Sequence, residues 1–236
     1  MKTALCFAGT GRAIEHTFDN LKSHLIEDLK DTADGCDVFV YITDNPKAKV
    51  TEDYFSGYTW NIDVVKEQPT NPSEYTFEEN WPPSIPNNRE KGRDIYLKMV
   101  KSRKHLMDMV DSTGTYDRMI FSRMDVIYET KITETLKGAN MDHLWLPSFH
   151  HWRGGYNDRF AVSNQDLMRV YMSQSDYMEK YRDDGFVFQA ERTLKHHLDA
   201  NGVVPKILKC NFARIRDGKQ HETFKSIQVE TKPCDI

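Results

Sequence analysis

Three short segments of the chain carry side chains with chemistry to offer. The first is Gly9-Thr10-Gly11-Arg12, directly after the apolar run Thr3 to Ala8. A glycine turn between a strand and a helix presents backbone N–H groups at the positive end of the helix dipole, where anions bind. Arg12 adds a planar charged fork suited to a phosphate or a flat base. A tight turn with one exposed arginine is the plainer alternative. The spacing excludes two common nucleotide sites. Ile14 stands where the third glycine of G-x-G-x-x-G belongs, and no G-x-x-x-x-G-K-[ST] occurs.

The second segment is Met119-Ile120-Phe121-Ser122-Arg123-Met124-Asp125, an apolar strand that closes on an arginine and a carboxylate. Open α/β sheets bind ligands at that end of their strands. Aspartate is a hard oxygen ligand for Mg²⁺ or Mn²⁺. Such an ion, bridging a diphosphate, would neutralise the charge that develops as the group leaves. Arg123 has two openings: the same diphosphate, or a structural salt bridge at the sheet edge. The third segment is Gly154-Gly155-Tyr156-Asn157-Asp158-Arg159-Phe160. Two glycines permit close backbone approach to a ligand. Asn157 and Asp158 suit sugar hydroxyls or base catalysis, and Arg159 can pair with Asp158 or bind phosphate. A Gly-Gly turn whose amides Asp158 satisfies competes with that reading. His150-His151 beside this loop is a possible metal ligand or merely exposed. His196-His197 is expected on a helix surface. Glu191, on the same helix, either reaches a site or is an ordinary surface glutamate. No Ser-His-Asp or Cys-His set can be ordered from the sequence.

The elements that must position these residues alternate. After the first strand, Ile14, Phe18, Leu21, Leu25 and Leu29 recur at helical steps and predict an amphipathic helix. Val38 to Ile42 reads as a second buried strand. Strand, helix, strand implies a right-handed crossover and a parallel pair. Asn61 to Val65 is a candidate third strand. The stretch 69–86 is too proline-broken for regular structure; its Tyr75, Phe77 and Trp81 suit a surface loop packed on the core edge, or a flap over a substrate. Residues 90–111 predict a helix with Tyr96, Met99, Leu106 and Val110 inward. Lys91, Lys98, Lys101, Arg103 and Lys104 are expected to be mostly solvated. A strand at 143–146, helices at 164–172, 174–182 and 187–200, and strands at 203–208 and 211–215 follow. The last helix turns Val187, Ala190, Leu194 and Leu198 inward and ends on Asn201-Gly202. The class is α/β, with a mostly parallel central sheet flanked by helices.

The chain has 236 residues and a formal net charge of -4, which excludes a strongly basic nucleic-acid binder. With 39% hydrophobic residues it has enough apolar material for a core. No apolar run approaches the ~18 residues of a spanning helix. MKTALCFAG gives way at once to polar text, so it reads as a core strand and not a signal peptide. Cys6, Cys36, Cys210 and Cys234 form no C-x-x-C pair, and a reducing, cytoplasmic setting is expected. No linker is visible, so one domain is expected over 1–236, with 221–236 as a peripheral tail.

Four segments together resemble the glycosyltransferases of the GT-A fold, especially small divergent members from large algal viruses and bacterial surface-polysaccharide clusters. ALCFAGTGR followed by HTFDNLKSHL is similar to their first strand and nucleotide loop, and CDVFVYIT to their second strand. YDRMIFSRMDVIY is similar to the strand bearing their D-x-D metal motif, and GGYNDRFAVSN to a donor-side loop that often reads N-D-R-F. The order matches over most of residues 3–170. The resemblance implies a nucleotide-binding half at 1–125 and a donor-sugar and acceptor half at 126–220. It implies a nucleotide-sugar donor, most simply a UDP-sugar, and a glycan hydroxyl as acceptor. Gly9, Thr10, Gly11 and Arg12 would contact the nucleotide, Asp125 would hold Mn²⁺ or Mg²⁺, and Arg123 would face the diphosphate. Gly155, Asn157 and Asp158 would address the sugar, with Asp158 first and Glu191 second as the base. One departure stands out: Arg123 occupies the place of the first aspartate of D-x-D. That change leaves open a non-catalytic nucleotide- or glycan-binding relative. Another α/β enzyme acting on phosphorylated small molecules is the third reading.

Overall fold

Thr3 to Gly9 form strand β1, whose residues before Gly9 are buried on both faces. Leu5 and Phe7 point into one core and Ala4, Cys6 and Ala8 into another, so helices cover the sheet on two sides. The computed structural model describes residues 1–9, 11–31, 35–43, 48–57, 61–65, 89–216 and 219–220. Thr10, Cys234, the tail 221–236 and the proline-broken stretch 69–86 lie outside them, so the flap reading does too.

The predicted first helix is α1 (Ile14–Leu21) and α2 (Glu27–Lys30), joined through a π-helical turn at Lys22–Ile26. Ile14, Phe18, Leu21, Leu25 and Leu29 all face the core as their spacing requires. Strand β2 (Cys36–Thr43), helix α3 (Ala48–Phe55) and strand β3 (Asn61–Val65) follow. Helix α4 (Arg89–Thr113) leads to strand β4 (Arg118–Arg123) and the short β5 (Val126–Tyr128). Then come α5 (Ile132–Thr135), β6 (Trp145–Pro147), a 3₁₀ turn at Trp152–Gly154 and β7 (Phe160–Ser163). Helix α6 (Gln165–Met172) is capped by Asn164; a 3₁₀ turn at Ser173–Tyr177 precedes α7 (Met178–Asp183). Helix α8 (Ala190–Ala200) is capped by the Gln189 side chain, and β8 (Lys206–Leu208), β9 (Phe212–Arg216) and β10 (Lys219–Gln220) end the described chain.

The seven-stranded sheet runs β3-β2-β1-β4-β7-β6-β8. The β3-β2, β2-β1, β1-β4 and β6-β8 pairs are parallel, and β7 is antiparallel to both neighbours. This is the expected α/β class with a mostly parallel sheet. The chain leaves β1 toward β2 on one side and returns to β4 on the other. The order therefore reverses between β1 and β4, which opens a crevice at their carboxyl ends. A small antiparallel sheet, β10-β9-β5, lies beyond β4.

Three side-chain expectations need correction. Arg103 is fully buried instead of solvated. Val187 is partly exposed because α8 begins only after its Gln189 cap. His197 is buried, hydrogen-bonded to the Tyr181 hydroxyl at 2.7 Å and the Val170 carbonyl at 2.7 Å, while His196 stacks on Phe186. Cys6, Cys36 and Cys210 are buried free thiols. Burial pushes the Cys36 thiol up to about 11.

Helix α1 anchors the segment after β4. The Thr17 hydroxyl donates to the Met124 carbonyl at 2.7 Å, and the Asn20 side chain exchanges hydrogen bonds of 3.0 and 2.6 Å with the backbone of Tyr128. Thr17→Val should cost about 1–2 kcal/mol in urea denaturation, because it leaves the buried Met124 carbonyl without that donor. An unchanged midpoint would remove Thr17 from this role.

Candidate active site

A cleft opens at the reversal between β1 and β4. Ala8, Gly9, Gly11 and Arg12 line one wall and Phe121, Arg123, Met124 and Asp125 another. Ile95, Lys98, Met99 and Ser102, one face of α4, line the third. Gly9 and Gly11 have φ of +150° and +61°, and a Cβ on Gly11 would lie 1.9 Å from the Thr51 hydroxyl. Position 11 must be glycine for this turn to sit against α3. Ala13 gives α1 no side-chain cap, and Arg12 is exposed at its start.

Asp125 follows β4 and is 7% exposed. Arg123 closes on it as a two-pronged fork, Nε to Oδ1 at 2.8 Å and Nη2 to Oδ2 at 2.6 Å. The salt-bridge alternative for this pair is therefore present. The Asp125 carbonyl accepts from the Ile215 N–H at 2.8 Å, which pins it to β9. Burial alone would raise the Asp125 carboxyl. Arg123, then Arg12 and Arg214, outweigh it and hold the group below the usual carboxylate range.

The third segment lies alongside, since the Arg123 N–H donates to the Arg159 carbonyl at 3.1 Å. Its groups serve the loop itself. Gly155 packs on α8, where a Cβ would meet the Glu191 carbonyl carbon at 2.1 Å, and the Tyr156 N–H donates to the Glu191 carbonyl at 2.9 Å. Asn157 donates to the Phe149 carbonyl at 2.8 Å and accepts from the Arg159 N–H at 2.9 Å. The Asn157 N–H donates to His151 Nδ1 at 3.3 Å, and burial holds that imidazole below its ordinary pKa.

Asp158 is buried against Arg103, whose Nη2 reaches its Oδ2 at 3.1 Å and its carbonyl at 2.6 Å. Phe121 and Tyr171 sandwich that guanidinium, each ring centre 5.2 Å away. Glu191 is half-buried and bonded to the Gln189 amide. Burial first, and the Asp158 charge second, raise its carboxyl. The structure thus gathers Gly9, Gly11, Arg12, Arg123 and Asp125 in the cleft. It sets Gly155, Asn157, Asp158 and Glu191 in the adjoining loop and helix.

Sequence reasoning placed Arg103 among solvated residues and passed over Arg214 and Arg216. The last two alternate on β9, a period-two pattern that puts both on one face. Among the described residues, no three His, Cys, Asp or Glu side chains come together as a metal cluster. No described helix is long and apolar enough to cross a membrane.

No protein-family model and no curated protein matches the sequence. Several solved structures are similar in outline. The apo glycosyltransferase GlyE of Streptococcus pneumoniae TIGR4 is 14% identical with a TM-score of 0.47; the match covers 87% of this chain and 45% of that one. Mouse xyloside xylosyltransferase 1 is 10% identical with a TM-score of 0.44, covering 88% and 85% of the two chains. The galactosyltransferase LgtC, solved with donor and acceptor sugar analogues, is 16% identical with a TM-score of 0.44, covering 82% and 69%. The chain thus spans less than half the length of GlyE.

Two expectations test the electrostatics. Asp158→Asn strands the buried Arg103 charge and should cost about 3–5 kcal/mol in denaturant unfolding. A loss within experimental error would show that the pair contributes nothing. Because the folded state raises the Glu191 carboxyl, its ionised form weakens the fold at neutral pH. Glu191→Gln should therefore raise the melting temperature at pH 7 by roughly 1–2 °C. The gain should vanish below about pH 4, where the wild-type group is protonated folded and unfolded. A melting temperature lowered at pH 7 would reverse the sign.

Proposed function

We propose that the chain is a GT-A-like glycosyltransferase that moves a sugar from a nucleotide-sugar, a UDP-sugar first of all, to a glycan hydroxyl. The observation that carries this reading is the cleft where the Gly9–Arg12 turn meets Arg123 and Asp125 at the reversal of strand order. A phosphorylated ligand suits that place: bare backbone, a helix start and two guanidinium groups converge there. The resemblance of the ordered motifs to GT-A glycosyltransferases implies a sugar nucleotide as that ligand. The nucleotide half then ends at Asp125, and the donor-sugar and acceptor half follows it.

Gly9, Thr10, Gly11 and Arg12 receive the nucleotide, Arg123 faces the diphosphate, and Gly155 and Asn157 shape the wall near the sugar. As the bond at the anomeric carbon breaks, negative charge grows on the departing diphosphate. Arg12 and Arg123 stabilise it in place, with little reorganisation at that moment. In an inverting displacement a carboxylate takes the acceptor proton. Asp158, the first candidate, is engaged by the buried Arg103, so we assign that role to Glu191, the second, whose carboxyl is raised by burial first and the Asp158 charge second. Asp158, held by Arg103, keeps the loop in position beside it. The resemblance also implies Mn²⁺ or Mg²⁺ on Asp125. The donor set does not fit that ion, because Arg123 engages both Asp125 oxygens and no cluster of three His, Cys, Asp or Glu side chains forms among the described residues. The buried free thiols accord with a reducing, cytoplasmic setting.

Calorimetry with UDP, GDP and CMP tests the reading, and at least one should bind. Glu191→Gln should lower donor turnover about 10²–10⁴-fold while leaving nucleotide affinity nearly unchanged. Failure of all three nucleotides to bind would end the proposal, and full turnover by the variant would remove Glu191 from it.

A further inference from the structure

Arginines from four parts of the fold crowd around Asp125. Arg12 enters from the β1–α1 turn and lines the cleft with Arg123 and Asp125. Arg214 lies opposite Val126 in the β5-β9 ladder, one residue from Asp125. Ile215 donates its N–H to the Asp125 carbonyl at 2.8 Å, so Arg214 and Arg216 flank that contact and share the other strand face. Arg159 is tied to Arg123 through the 3.1 Å backbone bond. The charges sense one another. Arg12, Arg123 and Arg214 all act on the Asp125 carboxyl. Burial first, then Arg12 and Arg123, draw the Arg216 guanidinium below its usual pKa. Arg216 Nε is buried with no hydrogen-bond partner among the described residues.

Asp125 is one anion among several like charges, so a second anion placed there lowers their mutual repulsion further. A divalent cation at Asp125 would add to the repulsion and would have to displace the Arg123 fork. A diphosphate does the opposite, because guanidinium planes match phosphate oxygens two at a time. Resting on the glycosyltransferase reading, we infer that Arg12, Arg123, Arg214 and Arg216 bind the diphosphate in place of a metal ion. Asp125 is then a positioning residue that sets the angle of Arg123.

Titration of inorganic pyrophosphate and of UDP into the full chain tests this, first in EDTA and then with Mn²⁺. Both should bind in EDTA, and Mn²⁺ should change neither affinity more than about threefold, since one lost charged hydrogen bond is worth more than that. Arg12→Ala and Arg216→Gln should each weaken pyrophosphate about tenfold, with Arg216→Lys recovering part of the loss. Arg12 is exposed, so its variant keeps the test valid if the Arg216 variants fail to fold. Binding that requires Mn²⁺ and disappears in Asp125→Asn would overturn the inference and leave glycosyl transfer standing. Pyrophosphate bound in EDTA without UDP, GDP or CMP binding would keep the arginine site and remove the glycosyltransferase reading. Undiminished pyrophosphate binding in folded Arg12→Ala would also overturn the inference.

Discussion

The fork that Arg123 closes on Asp125 governs the geometry of the cleft. Arginine alone at the end of β4 would swing on a long flexible stem. Paired through both oxygens to a nearly buried carboxylate, it has one orientation. The carboxylate is fixed in turn by its backbone bond to β9, and the following turn by Thr17 and Asn20 on α1. Three elements thus hold a single guanidinium at the mouth of the sheet. Preorganisation of this kind lets charge be stabilised without rearranging the site.

A second ion pair supports the adjoining wall. Arg103 and Asp158 are both buried and sit 55 positions apart in sequence. Desolvating two charges is expensive, and the pair gains only because the Asp158 carbonyl and two aromatic faces share the guanidinium. With it in place the remaining polar groups of the loop bond within it or to α8: Asn157 to Phe149 and Arg159, the Gly155 N–H to the Trp152 carbonyl, and the Tyr156 N–H to the Glu191 carbonyl. Beside this wall Glu191 is half-buried and bonded to the Gln189 amide, its carboxyl raised by burial first and by the Asp158 charge second.

The strands and the first helix were legible because their cause is local. Thr3 to Ala8, Val38 to Ile42 and Met119 to Phe121 are apolar runs with room on neither face for water. The steps from Ile14 to Leu29 read as helix for the same reason, although the π turn inside gives no sign in composition. The glycine turn and the Arg123-x-Asp125 triplet were legible as chemistry. The salt bridge was legible as one of two alternatives for Arg123; its two-pronged form was not, since that depends on where the fold places both side chains. Arg103 was misread as solvated because four lysines share its helix and its partner is remote. Gly155 does mark a close approach, as two glycines suggest, but the surface approached is the chain's own helix.

Helix α4 has a consequence of its own. At 25 residues it is a rod of about 38 Å. One stretch of it, Leu106, Met107 and Val110, is buried in the second core, and another, Tyr96, Leu97 and Val100, packs with Met178, Tyr181 and Phe188. Between and beside them lies the face formed by Lys98, Met99 and Ser102. Ala190, at the start of the helix that carries Glu191, leans on that latter cluster. The same rod therefore supplies one wall of the cleft and part of the packing under the start of α8.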